Sequence, residues 1–115
     1  MTDIIPSFSK LYKEEGILAT IKAIDDAEKQ GSASKAEAKR ARDYYLTQWG
    51  GEKIFRILSK GAFLMLQDVV YKRVKDYLVI YGRNATKEGL IKELNGFGLT
   101  SEKQQALRAL DLKFN

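Results

Sequence analysis

Residues 50–61 read Gly-Gly-Glu-Lys-Ile-Phe-Arg-Ile-Leu-Ser-Lys-Gly, and the folding of this stretch decides the class of the whole chain. Its apolar part, Ile54-Phe55-Arg56-Ile57-Leu58, is short, β-branched and aromatic, and glycines bound it on both sides. Such a run suits a strand or a helical turn, because it is too brief for either period to declare itself. A strand over 53–58 would find no partner within the chain. It would need the same strand of a second subunit to satisfy its backbone groups, making the protein a dimer. A helical turn leaves the chain all-α.

Upstream, residues 7–49 read as two helices. From Ser7 to about Lys29 the apolar positions Phe8, Leu11, Tyr12, Ile17, Leu18, Ile21, Ile24 and Ala27 keep helical spacing. Pro6 lies just before this helix, and Gly16 inside it costs about 1 kcal/mol relative to alanine, so a break is expected there. Ser34 and Glu37 form a capping box for a second helix running to about Trp49. Its apolar bulk arrives late, at Tyr44, Tyr45, Leu46 and Trp49, so Lys39, Arg40 and Arg42 are expected in water. Gly50-Gly51 then stops it.

Downstream, residues 62–81 form the most hydrophobic helix candidate. Phe63, Leu64, Leu66, Val69, Val70, Val74, Tyr77, Leu78 and Tyr81 offer more than one apolar face, which places this helix at the centre of the core. Gly82 is its expected C-terminal cap. Residues 86–113 read as two short helices joined by a glycine turn. Thr86 caps the first, Leu90, Ile91 and Leu94 face inward, Asn95-Gly96-Phe97-Gly98 turns the chain, and Ser101 with Gln104 makes a capping box for the second. The expected architecture is therefore one all-α domain over 1–115, with four to five helices, a short strand at 53–58 as the open alternative, and a helix-turn-helix-like pair at the end.

Composition narrows the chemistry. With 44% hydrophobic and 30% charged residues the 115-residue chain has the make-up of a globular protein able to bury one modest core. It has no cysteine and no histidine, which removes thiolate catalysis, sulfur-ligated zinc and the usual general base. The paired carboxylates Glu14-Glu15 and Asp25-Asp26 lie on the polar side of an amphipathic helix, and Gly96-Phe97-Gly98 lacks the lysine and preceding strand of a phosphate loop. No enzymatic activity, metal or cofactor is expected. Without a run of about 18 apolar residues or a leader pattern, the chain is expected in the cytoplasm, away from membranes.

A net charge of +5 is unevenly spread: residues 1–58 carry ten basic and nine acidic groups, and residues 59–115 carry ten basic and six acidic. The basic half contains the helix pair, which makes double-stranded DNA the expected partner. Glutamine pairs with adenine and arginine with guanine, so Gln104, Gln105 and Arg108 are the expected base readers. Arg83, Lys87 and Lys103 are the expected phosphate contacts, and the N-terminus of the last helix could add its free amides. The alternative is a small inhibitor or interaction module of phage or mobile-element type, docking on a host protein through Tyr44, Tyr45, Trp49 and the basic stretch from Lys39 to Arg42. No recognisable RNA-binding motif is present.

Gly50-Gly51 followed by Ile54-Phe55, then a helix, Gly82-Arg83-Asn84, a short helix and Gly98-Leu99-Thr100 resembles the middle-operon regulator (Mor) family of transcription activators of Mu-like phages, over roughly residues 49–110. The resemblance implies a strand at the paired glycines, a DNA-contacting Arg83-Asn84 element and a C-terminal helix-turn-helix. It also implies a dimer that binds promoter DNA and recruits RNA polymerase.

Overall fold

Helix begins directly after Gly51. A computed structural model describes residues 3–61 and 65–114. In it the α-helices are α1 (Ser9–Lys29), α2 (Lys35–Leu46), α3 (Glu52–Ser59), α4 (Gln67–Tyr81), α5 (Lys87–Leu94) and α6 (Ser101–Arg108). The fold is all-α, with no strand among the described residues. The stretch that could have been a strand supplies one helix more than the four or five expected. Within it Ile54 and Leu58, four residues apart, share the buried face, while Lys53 and Arg56 are exposed. Glu52 in the first turn and Arg56 in the last complement the helix dipole and pair at 2.6 Å. A helix satisfies its own backbone, so the reason for a strand-paired second subunit is gone.

The joint between α2 and α3 needs both glycines. After Leu46 the chain makes one wide π-type turn, Thr47–Gly51, in which Gly50 has φ +144°. A Cβ there would meet the Leu112 side chain at 2.6 Å. Gly51 is helical, but a Cβ on it would lie 2.7 Å from the Leu46 carbonyl oxygen and 3.2 Å from the Tyr71 ring. The glycines therefore let α3 start with no loop and pack against α4 and α6.

Around this joint the helices share one core. Ile17, Ile21 and Ile24 of α1 face Ala38, Ala41 and Tyr45 of α2, and Val70, Tyr71, Val74, Tyr77 and Leu78 of α4 complete the centre. The break expected at Gly16 is present: φ is +88° there, and the buried Thr20 hydroxyl donates to the Gly16 carbonyl. The Ser34–Glu37 capping box also forms. Arg42 departs from expectation. Its side chain is only 14% exposed and its Nη1 donates to Asp25 at 2.7 Å and Glu28 at 3.0 Å, which ties α2 to α1. Lys39 is exposed as expected but held by Asp43 and Asp68. The beginning of the helix expected at 62, with Phe63 and Leu64, lies outside the described residues; α4 is helical from Gln67, and Gly82 caps it with φ +50°. No helix among the described residues is long and apolar enough to cross a membrane.

Replacing Gly51 with alanine is expected to lower stability by about 1 to 3 kcal/mol, the cost of forcing a methyl into a filled contact. Urea unfolding reads this directly, and an unchanged midpoint would mean that the joint can open. The capping box gives a second test. Hydrogen bonds from the Ser34 backbone and side chain hold the Glu37 carboxyl below its ordinary pKa. Its contribution is therefore complete above the unfolded carboxylate value and is lost as pH falls through the depressed one. Ser34→Ala should remove about 1 kcal/mol at neutral pH and move the Glu37 titration, followed by NMR, back up.

Candidate nucleic-acid interface

The C-terminal helix pair is assembled around one tyrosine. The Tyr77 hydroxyl of α4 accepts from the Thr86 amide at 3.0 Å and donates to the Thr86 carbonyl at 3.1 Å. Thr86 in turn caps α5 by accepting from the Gly89 amide. A Cβ at position 89 would lie 2.1 Å from the Tyr77 oxygen. This glycine, a weak helix former, is thus what allows α5 to seat against α4. Leu90, Ile91 and Leu94 enter the core as the sequence implied.

The turn from α5 to α6 runs over Asn95–Thr100. A 3-10 turn (Asn95–Phe97) leads to Gly98 in the left-handed region. Arg73 of α4 closes this turn from outside, its guanidinium 4.7 Å from the Phe97 ring centroid. The cap of α6 is Thr100, one residue before the expected Ser101: its hydroxyl accepts from the Lys103 amide at 3.1 Å. Position N3 is then Lys103, so no reciprocal box with Gln104 forms. With Thr100 on that amide and Glu102 in the first turn, this helix end already has its negative partners and is a poor phosphate seat.

Of the six expected contact residues, two are occupied elsewhere. Lys87 donates its Nζ to the carbonyls of Arg108 and Leu110, each at 2.8 Å, and so closes the C-terminus of α6. Lys103 donates to the carbonyl of Leu58 at 2.9 Å and closes the end of α3. Both ammoniums meet orphan carbonyls at helix ends, which is where cations are favoured. Gln104 is half-buried and turned toward Asn95 and Leu99, each at 3.5 Å. Gln105 and Arg108 remain on the outer face of α6, with Ser101. Arg108 Nε donates to Glu88 of α5 at 3.0 Å, and its two Nη groups make no hydrogen bond among the described residues. Arg83 is exposed in the 3-10 turn Gly82–Asn84, beyond α4.

The structure adds a basic row that was not read from the sequence. Lys53 and Arg56 on α3 and Lys60 at its C-cap are all exposed, at spacings of three and four. The helix that carries the row packs on α6, and Lys103 bridges the two. Its signal was present as one lysine or arginine per turn, but it becomes visible only once 52–59 is helical.

The tyrosine-rich docking patch of the alternative reading does not form as a surface. Tyr45 is buried, with its hydroxyl donating to the Ile5 carbonyl. Trp49 is buried beneath the C-terminal tail, its indole N–H donating to the Lys113 carbonyl and its ring edge-on to Phe114. Only Tyr44 is left exposed. The chain matches no protein-family model, and comparison with curated proteins and with solved structures gives no match either.

Lys87→Met is expected to cost about 1 to 2 kcal/mol in stability, since the exposed carbonyl of Arg108 and the partly buried one of Leu110 lose their charged donor. Gln105→Ala should change stability by no more than about 0.5 kcal/mol. Thermal unfolding of the two variants side by side makes the comparison, and equal midpoints would show that Lys87 is free for another partner.

Proposed function

We propose that this chain is a small DNA-binding regulator that presents α6 to the duplex. The observation that supports the reading best is the outer face of α6. It carries Ser101, Gln105 and Arg108 away from the core, and the helix packed on α6 carries the basic row Lys53, Arg56 and Lys60. In this reading Arg108 is the principal base reader. Glu88 grips its Nε and fixes the plane of the guanidinium, leaving the Nη pair for a guanine edge. Gln105, one turn away, reads the neighbouring base.

Phosphate contacts fall to the α3 row and to Arg83, because Lys87 and Lys103 cap helices. Resemblance to the middle-operon regulators is consistent with this reading through the Gly82-Arg83-Asn84 element and the C-terminal helix pair. The strand which that resemblance implied is the helix α3 here. Promoter binding and recruitment of RNA polymerase extend the proposal by resemblance.

Binding of the full chain to labelled random duplex DNA across a salt series tests this. The expected result is a log–log slope of several released counterions, with selection enriching a defined site. Arg108→Ala should cost about 1 to 3 kcal/mol at one base position. Neutralising Lys53, Arg56 and Lys60 together should weaken all sequences alike and reduce the slope by about 3. Absence of binding near about 50 mM salt would overturn the reading.

A further inference from the structure

Helix α4 carries an outer stripe that the fold leaves uncovered. Val69, Arg73, Asp76 and Ile80 follow one another at steps of four, three and four, which keeps them on one face. Val69 is 43% exposed and Ile80 75%, an unusual position for isoleucine. Between them the side chains of Arg73 and Asp76 are 39% and 37% exposed. The opposite face of the same helix, from Val70 to Leu78, is in the core.

The stripe is symmetric under reversal. Turning a second α4 end for end about the midpoint between Val74 and Lys75 sets Val69 against the other Ile80 and Arg73 against the other Asp76. Each end of the contact is then apolar to apolar, and each central contact is cation to anion. Parallel pairing would set Arg73 on Arg73 and Asp76 on Asp76, a repulsive arrangement. Asp76 has an oxygen to spare for such a partner. Its Oδ2 receives Lys72 at 2.8 Å, whereas Oδ1 has only the 3.6 Å contact of its neighbour Lys75. Arg73 stands 3.9 Å from Glu93 and lays its guanidinium 4.7 Å from the Phe97 ring centroid, an arrangement that leaves its charge without a close carboxylate among the described residues.

We propose that this stripe is the interface of a homodimer, in which two copies of the chain pack α4 against α4, antiparallel, around a twofold axis. Isologous contacts require a patch complementary to itself, and this stripe meets that requirement in both hydrophobicity and charge. An unrelated partner would need the apolar ends but not the reversal symmetry of the charges. The dimer uses no strand and stands apart from the nucleic-acid reading.

Light scattering of the full-length chain over a concentration series tests the proposal, with circular dichroism as the control for folding. The wild type should dimerise, and Ile80→Glu should raise the dissociation constant by at least about tenfold. Arg73→Asp and Asp76→Arg should each weaken the dimer by a similar factor, because each sets like charges across the axis. The double variant R73D/D76R restores opposite charges and should recover wild-type association. As a readout that does not depend on the charge variants folding, the cysteine-free chain carrying V69C and I80C should form a covalent dimer under mild oxidation. A wild type that stays monomeric, a dimer indifferent to Ile80→Glu, or single charge variants that the double variant does not rescue would overturn it.

Discussion

The constraint on which this architecture depends is the absence of two side chains. Between α2 and α3 the chain makes one wide turn, and the space a Cβ would take at Gly50 and Gly51 is filled by the Leu112 side chain and the Leu46 carbonyl. That closeness has several effects. It allows helix to follow helix without a loop. It brings α3 against α4 and α6, and it seats Trp49 where the C-terminal tail can cross it. A methyl at Gly51 would press on the backbone of α2 and the ring of Tyr71, and one at Gly50 on the Leu112 side chain of the tail.

The helix pair shows how the same residue types divide between holding a fold and meeting a partner. Lys87, Lys103 and Arg108 belong to one small cluster of helices. The two lysines reach the carbonyls that end α6 and α3, where each replaces the next turn of helix as hydrogen-bond partner. Arg108 makes one bond through Nε, to a carboxylate rather than to backbone, and retains its outer donors. A flexible ammonium suits a helix end because it can satisfy converging carbonyls. A planar guanidinium held at one edge keeps its other edge for recognition.

Much of this was legible in the sequence, for local reasons. The Gly16 break, the Ser34–Glu37 box, the Thr86 cap and the Gly82 terminus each depend on residues within about one helical turn of each other. What was not legible depends on residues far apart in the chain. Ile54 to Leu58 is neutral between helix and strand, and its packing against α4 and α6 decides. The choice of Thr100 over Ser101 as cap follows from where Gly98 leaves the chain. The spacing of charges could not reveal that Lys103 finds a carbonyl 45 residues earlier. Nor could it show that Arg42 would be drawn in between Asp25 and Glu28. The C-terminal helix pair itself was legible, whereas the contacts made by its side chains were not.

The tail that crosses the joint gives the molecule an optical probe of its own. The chain contains a single tryptophan, and that indole is buried with its N–H on the Lys113 carbonyl and its ring against Phe114. Emission from a tryptophan shifts to the red when its indole passes from an apolar pocket into water. Intrinsic fluorescence of the unlabelled protein therefore monitors the docking of the last residues directly, with no competing indole elsewhere. Any event that peels the tail from the α2–α3 joint changes the colour of the protein before the rest of the fold need change at all.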